Sequence, residues 1–353
     1  LKFRRELDLL KPYNPPWISH EAKAERGEGD YVKLTANELS FGPLPEAEAA
    51  ISEALPRLNR YPDRHAAALR EAISGANAGI RPENVVVGNG SSEVLLNLLQ
   101  LVERPGEVVF PWPSFSLYAT IARIVGLEAR RVPLRADHAV DPDALLAALT
   151  PKTRAVILCN PNNPTGTHLK LEEVRAIADG LPEDVLLILD EAYYEFVDDP
   201  SYPGSHELAL STQSVVCVRT FSKVHGLAAL RVGYGLAPRE IADYAERVRF
   251  PFSVNLAAQV AAAASMRAPE RIAKRASFVI EERTRLQRAL DEAGVEYVPS
   301  QANFVLAKIE PAVFRRAGVL VREGEALGYP GWSRITIGNS TENDRVISAF
   351  AGR

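Results

Sequence analysis

The chain's most reactive arrangement centres on Lys223, in the run Arg219-Thr220-Phe221-Ser222-Lys223-Val224-His225-Gly226, a polar hinge between two apolar strand-like runs. A lysine amine forms an imine with an aldehyde cofactor when fixed structure holds it against the aldehyde and lets it shed its proton. Ser222 beside it and Arg231 just beyond supply donors for an anion, and the planar fork of arginine suits a phosphate. An imine-forming lysine with phosphate donors close by is the pattern of a pyridoxal 5′-phosphate (PLP) site. A lysine in a polar loop can also be merely solvated, so the reading depends on what else the chain aims at the same place.

Asp190 closes the apolar run Val185-Leu186-Leu187-Ile188-Leu189, which lacks polar alternation and so reads as a buried parallel strand. The carboxyl ends of strands are where open α/β sheets bind ligands, and a carboxylate there can pair with a protonated pyridine nitrogen. Capping of the next helix is the plainer role for a strand-end Asp. Tyr193, in Asp190-Glu191-Ala192-Tyr193, is placed to offer its phenol to the same cleft. A second strand run, Ala155-Val156-Ile157-Leu158-Cys159, leads into Asn160-Pro161-Asn162-Asn163-Pro164-Thr165-Gly166. Its prolines fix φ and bias the residues before them to extended backbone, which aims the Asn163 side chain at that edge. Further upstream Asn84-Val85-Val86-Val87 runs into Gly88-Asn89-Gly90-Ser91-Ser92-Glu93 and then an apolar-periodic segment, reading as strand, tight turn and helix start. The amides of Ser91 and Ser92 there face an anion with free N–H groups and a favourable dipole, alongside any capping role. Glu93 occupies the third-glycine position of a dinucleotide fingerprint, which sets aside a nicotinamide dehydrogenase. Phe115, after the strand-like Glu107-Val108-Val109-Phe110, is placed either to stack on a pyridine face or to pack in the core.

These residues need a sheet to hold them level. Strand runs alternate with helical ones from about residue 84 to 237, the signature of a mostly parallel sheet. The segment Arg249-Phe250-Pro251-Phe252-Ser253-Val254-Asn255 breaks that pattern before a helical stretch over roughly 255–293, and strand runs around Asn303–Ala307 and Arg334–Ile337 follow. The expected organisation is an N-terminal arm over 1–30 joined to the small domain, a large domain over 31–250 and a small C-terminal domain over 251–353. The 41 basic residues nearly balance 45 acidic ones with no basic block, which argues against nucleic acid as the ligand. Cys159 and Cys217 lie inside apolar runs, so neither a disulfide framework nor a cysteine metal site is expected, and a reducing compartment is. No apolar run is long enough to span a membrane and residues 1–12 are not signal-like, so a cytoplasmic location is expected. The first residue is Leu1, which leaves a removed leader open.

With these motifs in this order, the chain resembles the PLP-dependent aminotransferases of fold type I, and among them the histidinol-phosphate aminotransferases. The resemblance runs almost end to end, through Leu10-Lys11-Pro12-Tyr13, Lys33-Leu34-Thr35-Ala36-Asn37-Glu38, Arg60-Tyr61-Pro62-Asp63, Asn163, Asp190, Tyr193, Lys223, Val319-Leu320-Val321-Arg322 and Arg334-Ile335-Thr336-Ile337-Gly338. It implies a large domain with a mostly parallel seven-stranded sheet between helices, plus a smaller α/β domain. It further implies that Lys223 holds the cofactor and shuttles the proton, that Asp190 pairs the ring nitrogen, and that Tyr193 and Asn163 contact the ring oxygen. Ser91, Ser92, Thr220, Ser222 and Arg231 would grip the phosphate. Tyr61 would reach the phosphate in the partner subunit of a two-fold homodimer. Arg334 would bind the anionic end of the substrate, with Arg322 and Tyr13 around a phosphate and Asn37 also on the substrate side. The chain departs from the commoner pattern at His225, at Ala229 and at Asn339-Ser340, none of which removes a catalytic group; His225 reads as a polar residue packed beside the lysine loop.

The leading expectation is transfer of the amino group of L-histidinol phosphate to 2-oxoglutarate, a step of histidine biosynthesis. An aromatic amino-acid aminotransferase shares nearly the whole catalytic set, and a threonine-phosphate decarboxylase on the same fold would differ in substrate pose. A PLP-binding regulator would need a DNA-binding module ahead of the fold, and only about thirty residues precede Lys33.

Overall fold

The structure is a computed structural model that describes residues 1–10, 23, 29 and 31–351. Its larger sheet is built from β2 (Val85–Gly88), β3 (Glu107–Trp112), β4 (Glu128–Pro133), β5 (Thr153–Cys159), β6 (Leu186–Asp190), β7 (Val215–Thr220) and β8 (Gly233–Leu236). They lie in the order β2-β8-β7-β6-β5-β3-β4, with β8 antiparallel to both neighbours and every other pair parallel. The apolar runs become central strands because both faces are covered. Val156, Leu158, Leu187, Leu189 and Cys217 pack on one side with the helices Pro45–Ala54, Ala67–Gly75 and Leu256–Met266. Ile157, Cys159, Ile188, Val216 and Val218 pack on the other with Gly90–Leu101, Leu117–Ile124 and Arg239–Val248. That strict alternation within one strand is the period of two that a pleat imposes. Register sets Cys159 opposite Asp190 and Asp190 opposite Val218, so the carboxyl ends of β5, β6 and β7 finish level with one another.

The smaller sheet is built from β1 (Val32–Leu34), β9 (Tyr297–Val298), β10 (Phe304–Ala307), β11 (Val319–Glu323) and β12 (Ser333–Thr336), in the order β1-β11-β12-β10-β9. Only β1 and β11 pair in parallel. The helices Pro269–Glu292, Pro311–Arg316 and Ser340–Phe350 bury their apolar faces against it.

Two features depart from the sequence expectations. The helical stretch over 255–293 is two helices, Leu256–Met266 and Pro269–Glu292. Pro269 has no N–H to continue the first helix and pushes Ala268 out of helical backbone, to φ −119° and ψ 55°. The helix Leu256–Met266 then packs in the larger core although it lies beyond residue 250, while β1 joins the smaller sheet although it lies after residue 30. The chain crosses between the two layers at both ends of the larger sheet, and no shift in composition marks those crossings.

Candidate active site

Lys223 projects from the turn between β7 and β8. That turn is closed by hydrogen bonds from Gly226 N to Lys223 O (2.9 Å) and from Leu227 N to Phe221 O (3.0 Å). Gly226 has φ +71°, and a Cβ there would stand 3.2 Å from the carbonyl oxygens of Phe41 and Gly42, so the turn needs glycine both for its backbone and for its contact. Lys223 Nζ donates to Ala36 O at 3.1 Å and lies 5.6 Å from the Tyr193 ring centroid. Burial, and then the positive charge of Arg334, lower its pKa to about 8, which brings the neutral amine within reach at physiological pH. Behind the turn His225 is buried, shares a 2.7 Å hydrogen bond between Nδ1 and Ser265 Oγ, and is held neutral by the same desolvation, its pKa falling to about 3.

Asp190 ends β6 with its carboxylate buried. Tyr118 Oη donates to Oδ2 at 2.7 Å and the Ala192 N–H to Oδ1 at 3.2 Å, yet burial outweighs both and raises its pKa to about 6. A buried carboxylate with two donors and no paired cation among the described residues is suited to a protonated ring nitrogen. Phe115, half-buried, meets Tyr118 edge-on at 5.5 Å, so the aromatic and the carboxylate are tied through one tyrosine.

The anion cup forms where β2 and β7 finish beside each other's loops. The helix Gly90–Leu101 puts Ser91 and Ser92 in its first turn, and the N–H of Asn89 is taken by the Glu93 carboxylate, so capping is done by Glu93 and neither serine hydroxyl is used by a described residue. Gly90 has φ +75°, and a Cβ on it would collide with the Arg231 guanidinium. Arg231, itself left-handed at φ 58°, donates to Ala228 O at 2.8 Å and loosely to Ser222 Oγ at 3.5 Å. Thr220 Oγ1 donates to Ser222 Oγ at 3.0 Å and accepts the Ser222 N–H at 3.1 Å. With its oxygen already an acceptor, the Ser222 hydroxyl proton is left to point outward. Backbone N–H groups, hydroxyls and one guanidinium around a glycine that admits no side chain fit a phosphate.

On the opposite wall the smaller sheet delivers Arg334, buried, whose Nη1 donates to Asn163 Oδ1 (2.6 Å) and Nη2 to Thr35 O (2.8 Å). Asn163 Nδ2 donates to Tyr193 Oη at 3.3 Å and Asn37 Nδ2 to the same oxygen at 3.1 Å. Burial raises the Tyr193 phenol well above its ordinary pKa, so it stays protonated. Arg322 sits directly opposite Arg334 across β11 and β12, and its side chain makes no hydrogen bond or ion pair with any described residue.

The structure thus links Lys223, Tyr193, Asn163, Asn37 and Arg334 through direct contacts, with Arg322 opposite Arg334 on the next strand. Asp190 and Phe115 meet through Tyr118, and Thr220, Ser222 and Arg231 form a second hydrogen-bonded group beside the helix start that carries Ser91 and Ser92. Tyr61 does not join them within the chain: it is 82% exposed and stacks on Phe252 at 4.6 Å. Tyr13 lies outside the described residues. The sequence reading missed Tyr118, which looks like any core aromatic of an apolar helix; its position one helical turn after Phe115 was the available signal. It also missed Thr336 and Asn303, which hold Asn37 across the chain.

The family model described as aminotransferase class I and II matches residues 29–350. The chain belongs to the class I and II aminotransferases. Within that family, an aminotransferase of Rubrobacter xylanophilus named histidinol-phosphate aminotransferase is 72% identical over 350 residues, 99% of this chain and 100% of that one. An aromatic amino acid aminotransferase of Mycolicibacterium paratuberculosis is 41% identical over 324 residues, 90% of each chain. The solved histidinol-phosphate aminotransferase of Sinorhizobium meliloti, in complex with pyridoxal-5′-phosphate, superposes with a TM-score of 0.88 at 27% identity and covers 99% of this chain and 97% of its own. The seven-stranded sheet and the lysine turn described above are therefore an aminotransferase fold of type I.

Proposed function

We propose that this aminotransferase moves the amino group of L-histidinol phosphate to 2-oxoglutarate, with PLP held on Lys223. The names of the 72% identical relative and of the Sinorhizobium structure support it. The observation that carries it is the cross-strand pair Arg322 and Arg334. Like charges directly opposite each other on one face of a sheet are unfavourable unless an anion lies between them. A phosphate with nearly two charges offsets that repulsion better than a carboxylate does.

PLP supplies an aldehyde for the amine and a ring that accepts electrons as the substrate's carbon loses its proton. The chain's residues do the rest. Lys223, with its lowered pKa, takes that proton and returns it. Asp190 keeps the ring nitrogen protonated, while Tyr118 orients the carboxylate. Tyr193 and Asn163 hold the ring oxygen, Phe115 covers the ring, and Ser91, Ser92, Thr220, Ser222 and Arg231 bind the phosphate. Arg334 takes the substrate's anion, with Arg322 opposite it on β11. The working unit is a homodimer in which Tyr61, exposed in its own chain, completes the partner's phosphate site. Both domains are cytoplasmic, in keeping with two buried free thiols; no described helix is long and apolar enough to cross a membrane.

A second reading, transfer from aromatic amino acids, is favoured by the 41% identical relative of that name. Half-reaction rates with histidinol phosphate, phenylalanine, tyrosine and threonine phosphate separate the two. Histidinol phosphate should be the fastest donor, and Arg322→Ala should lower its kcat/KM about ten- to a hundredfold, from hydrogen bonds to a charged group, while sparing phenylalanine. Preference for phenylalanine or tyrosine, with both donors equally affected by Arg322→Ala, would hand the function to the second reading.

A further inference from the structure

Asn37 was expected on the substrate side, but every polar atom of it is already committed. It is buried with a left-handed backbone at φ 54°. Its N–H donates to Thr336 Oγ1 at 3.0 Å, its carbonyl accepts Asn303 Nδ2 at 3.1 Å, and its Oδ1 accepts the Thr336 hydroxyl at 3.2 Å. Because Thr336 Oγ1 already accepts the Asn37 N–H, its own proton goes to Oδ1, which leaves Nδ2 of Asn37 facing Tyr193. On the other side Arg334 can only donate, so Asn163 turns Oδ1 to Arg334 and Nδ2 to Tyr193. A phenol oxygen has two lone pairs and one proton, and both lone pairs face amide donors here. The proton is left for an acceptor that none of the described residues supplies.

We propose that Asn37 is a positioning residue that holds Tyr193 as a hydrogen-bond donor to the cofactor's ring oxygen, and that it makes this donor depend on the placement of the smaller sheet. The proposal rests on PLP binding at Lys223 with Tyr193 at the ring oxygen. A donor on that oxygen stabilises its negative charge most after the neighbouring lysine-linked nitrogen has lost its proton, so it lowers the pH at which that proton leaves.

The test is a pH titration of the visible absorption of the PLP-loaded protein, together with PLP affinity by equilibrium dialysis, for wild type, Tyr193→Phe, Asn37→Gly and Asn37→Gly/Tyr193→Phe. Glycine keeps the left-handed backbone available. Tyr193→Phe should raise the titration midpoint by about one pH unit, the size expected for a hydrogen bond to a charged group. Asn37→Gly should raise it by a good part of that, and should add nothing in the Tyr193→Phe background, because it acts through the phenol. Asn37→Asp, which keeps the shape and also tolerates left-handed backbone, replaces Asn37→Gly if that variant does not fold, with its own charge effect read in the Tyr193→Phe background. An Asn37 effect that is absent, or equal in both backgrounds, overturns the positioning role. A midpoint unmoved by Tyr193→Phe overturns the placement of Tyr193 at the ring oxygen, and the proposal with it.

Discussion

Single residues in this site are tuned by burial more than by their neighbours' charges. Lys223 is brought down to about 8 and Asp190 up to about 6, each mainly by desolvation. Lys223→Ala should leave the fold intact and reduce turnover more than a hundredfold, since general base catalysis alone contributes roughly 10²–10⁴; a larger residue of activity would remove Lys223 from the chemistry. The raised pKa of Asp190 makes a prediction of defined sign for the cofactor-free protein. The folded state binds this proton more tightly than the unfolded chain, whose Asp titrates near 3.8, so stability is lost as pH climbs from about 4 to about 6 and does not return above it. Asp190→Asn never ionises and escapes that loss. Urea denaturation of the cofactor-free proteins should find the variant more stable than wild type by up to about 3 kcal/mol at pH 8, with the gap closing toward pH 4. The same variant, once loaded, should lose far more rate than cofactor occupancy. Its partner Tyr118 was passed over, because in the apolar helix Leu117–Ile124 a hydrogen-bonding phenol looks like a packing ring and only its place one turn after Phe115 set it apart.

At the scale of elements, the parts of the site that could be read in advance are those carried by one strand end and its own loop. Asp190 after β6, the Asn163 loop after β5 and the Lys223 turn after β7 each follow an apolar run whose continuity marks it as buried, and a parallel sheet brings such ends level. The start of the helix Gly90–Leu101 is of the same kind, and it supports a prediction. Gly90→Ala places a methyl against the Arg231 guanidinium on left-handed backbone, a conformation costing an L-residue roughly 1–2 kcal/mol. PLP affinity measured by equilibrium dialysis should fall about tenfold or more while the far-ultraviolet circular dichroism of the protein is unchanged. What local pattern could not show was the traffic between layers. A three-residue strand such as β1 has too few positions to reveal a period, and the break before Pro269 hid inside a run of helix-forming residues.

Across the whole molecule, apolar side chains left on the surface offer a face for the proposed homodimer. Leu55, Leu58, Tyr61, Phe250 and Phe252 are all more than a third exposed, and the Tyr61–Phe252 stack joins their two segments into one face. Leu58→Glu should therefore shift the protein from dimer toward monomer in sedimentation velocity and lower activity with it, with losses that recover at higher protein concentration; a variant that stays dimeric would exclude this face from the interface. The two sheets also differ in when they can exist. Every strand of the larger one comes from residues 85–236, whereas the amide of Asn37 is bonded to Thr336, 299 positions along the chain. At a synthesis rate of roughly 5–20 residues per second, Asn37 waits on the order of 15–60 s for that partner to be made. A nascent chain can complete Asp190, the lysine turn and the phosphate cup while Arg334 has yet to be translated. With the roles proposed for these residues, the ability to take up a cofactor is encoded ahead of the ability to choose a substrate.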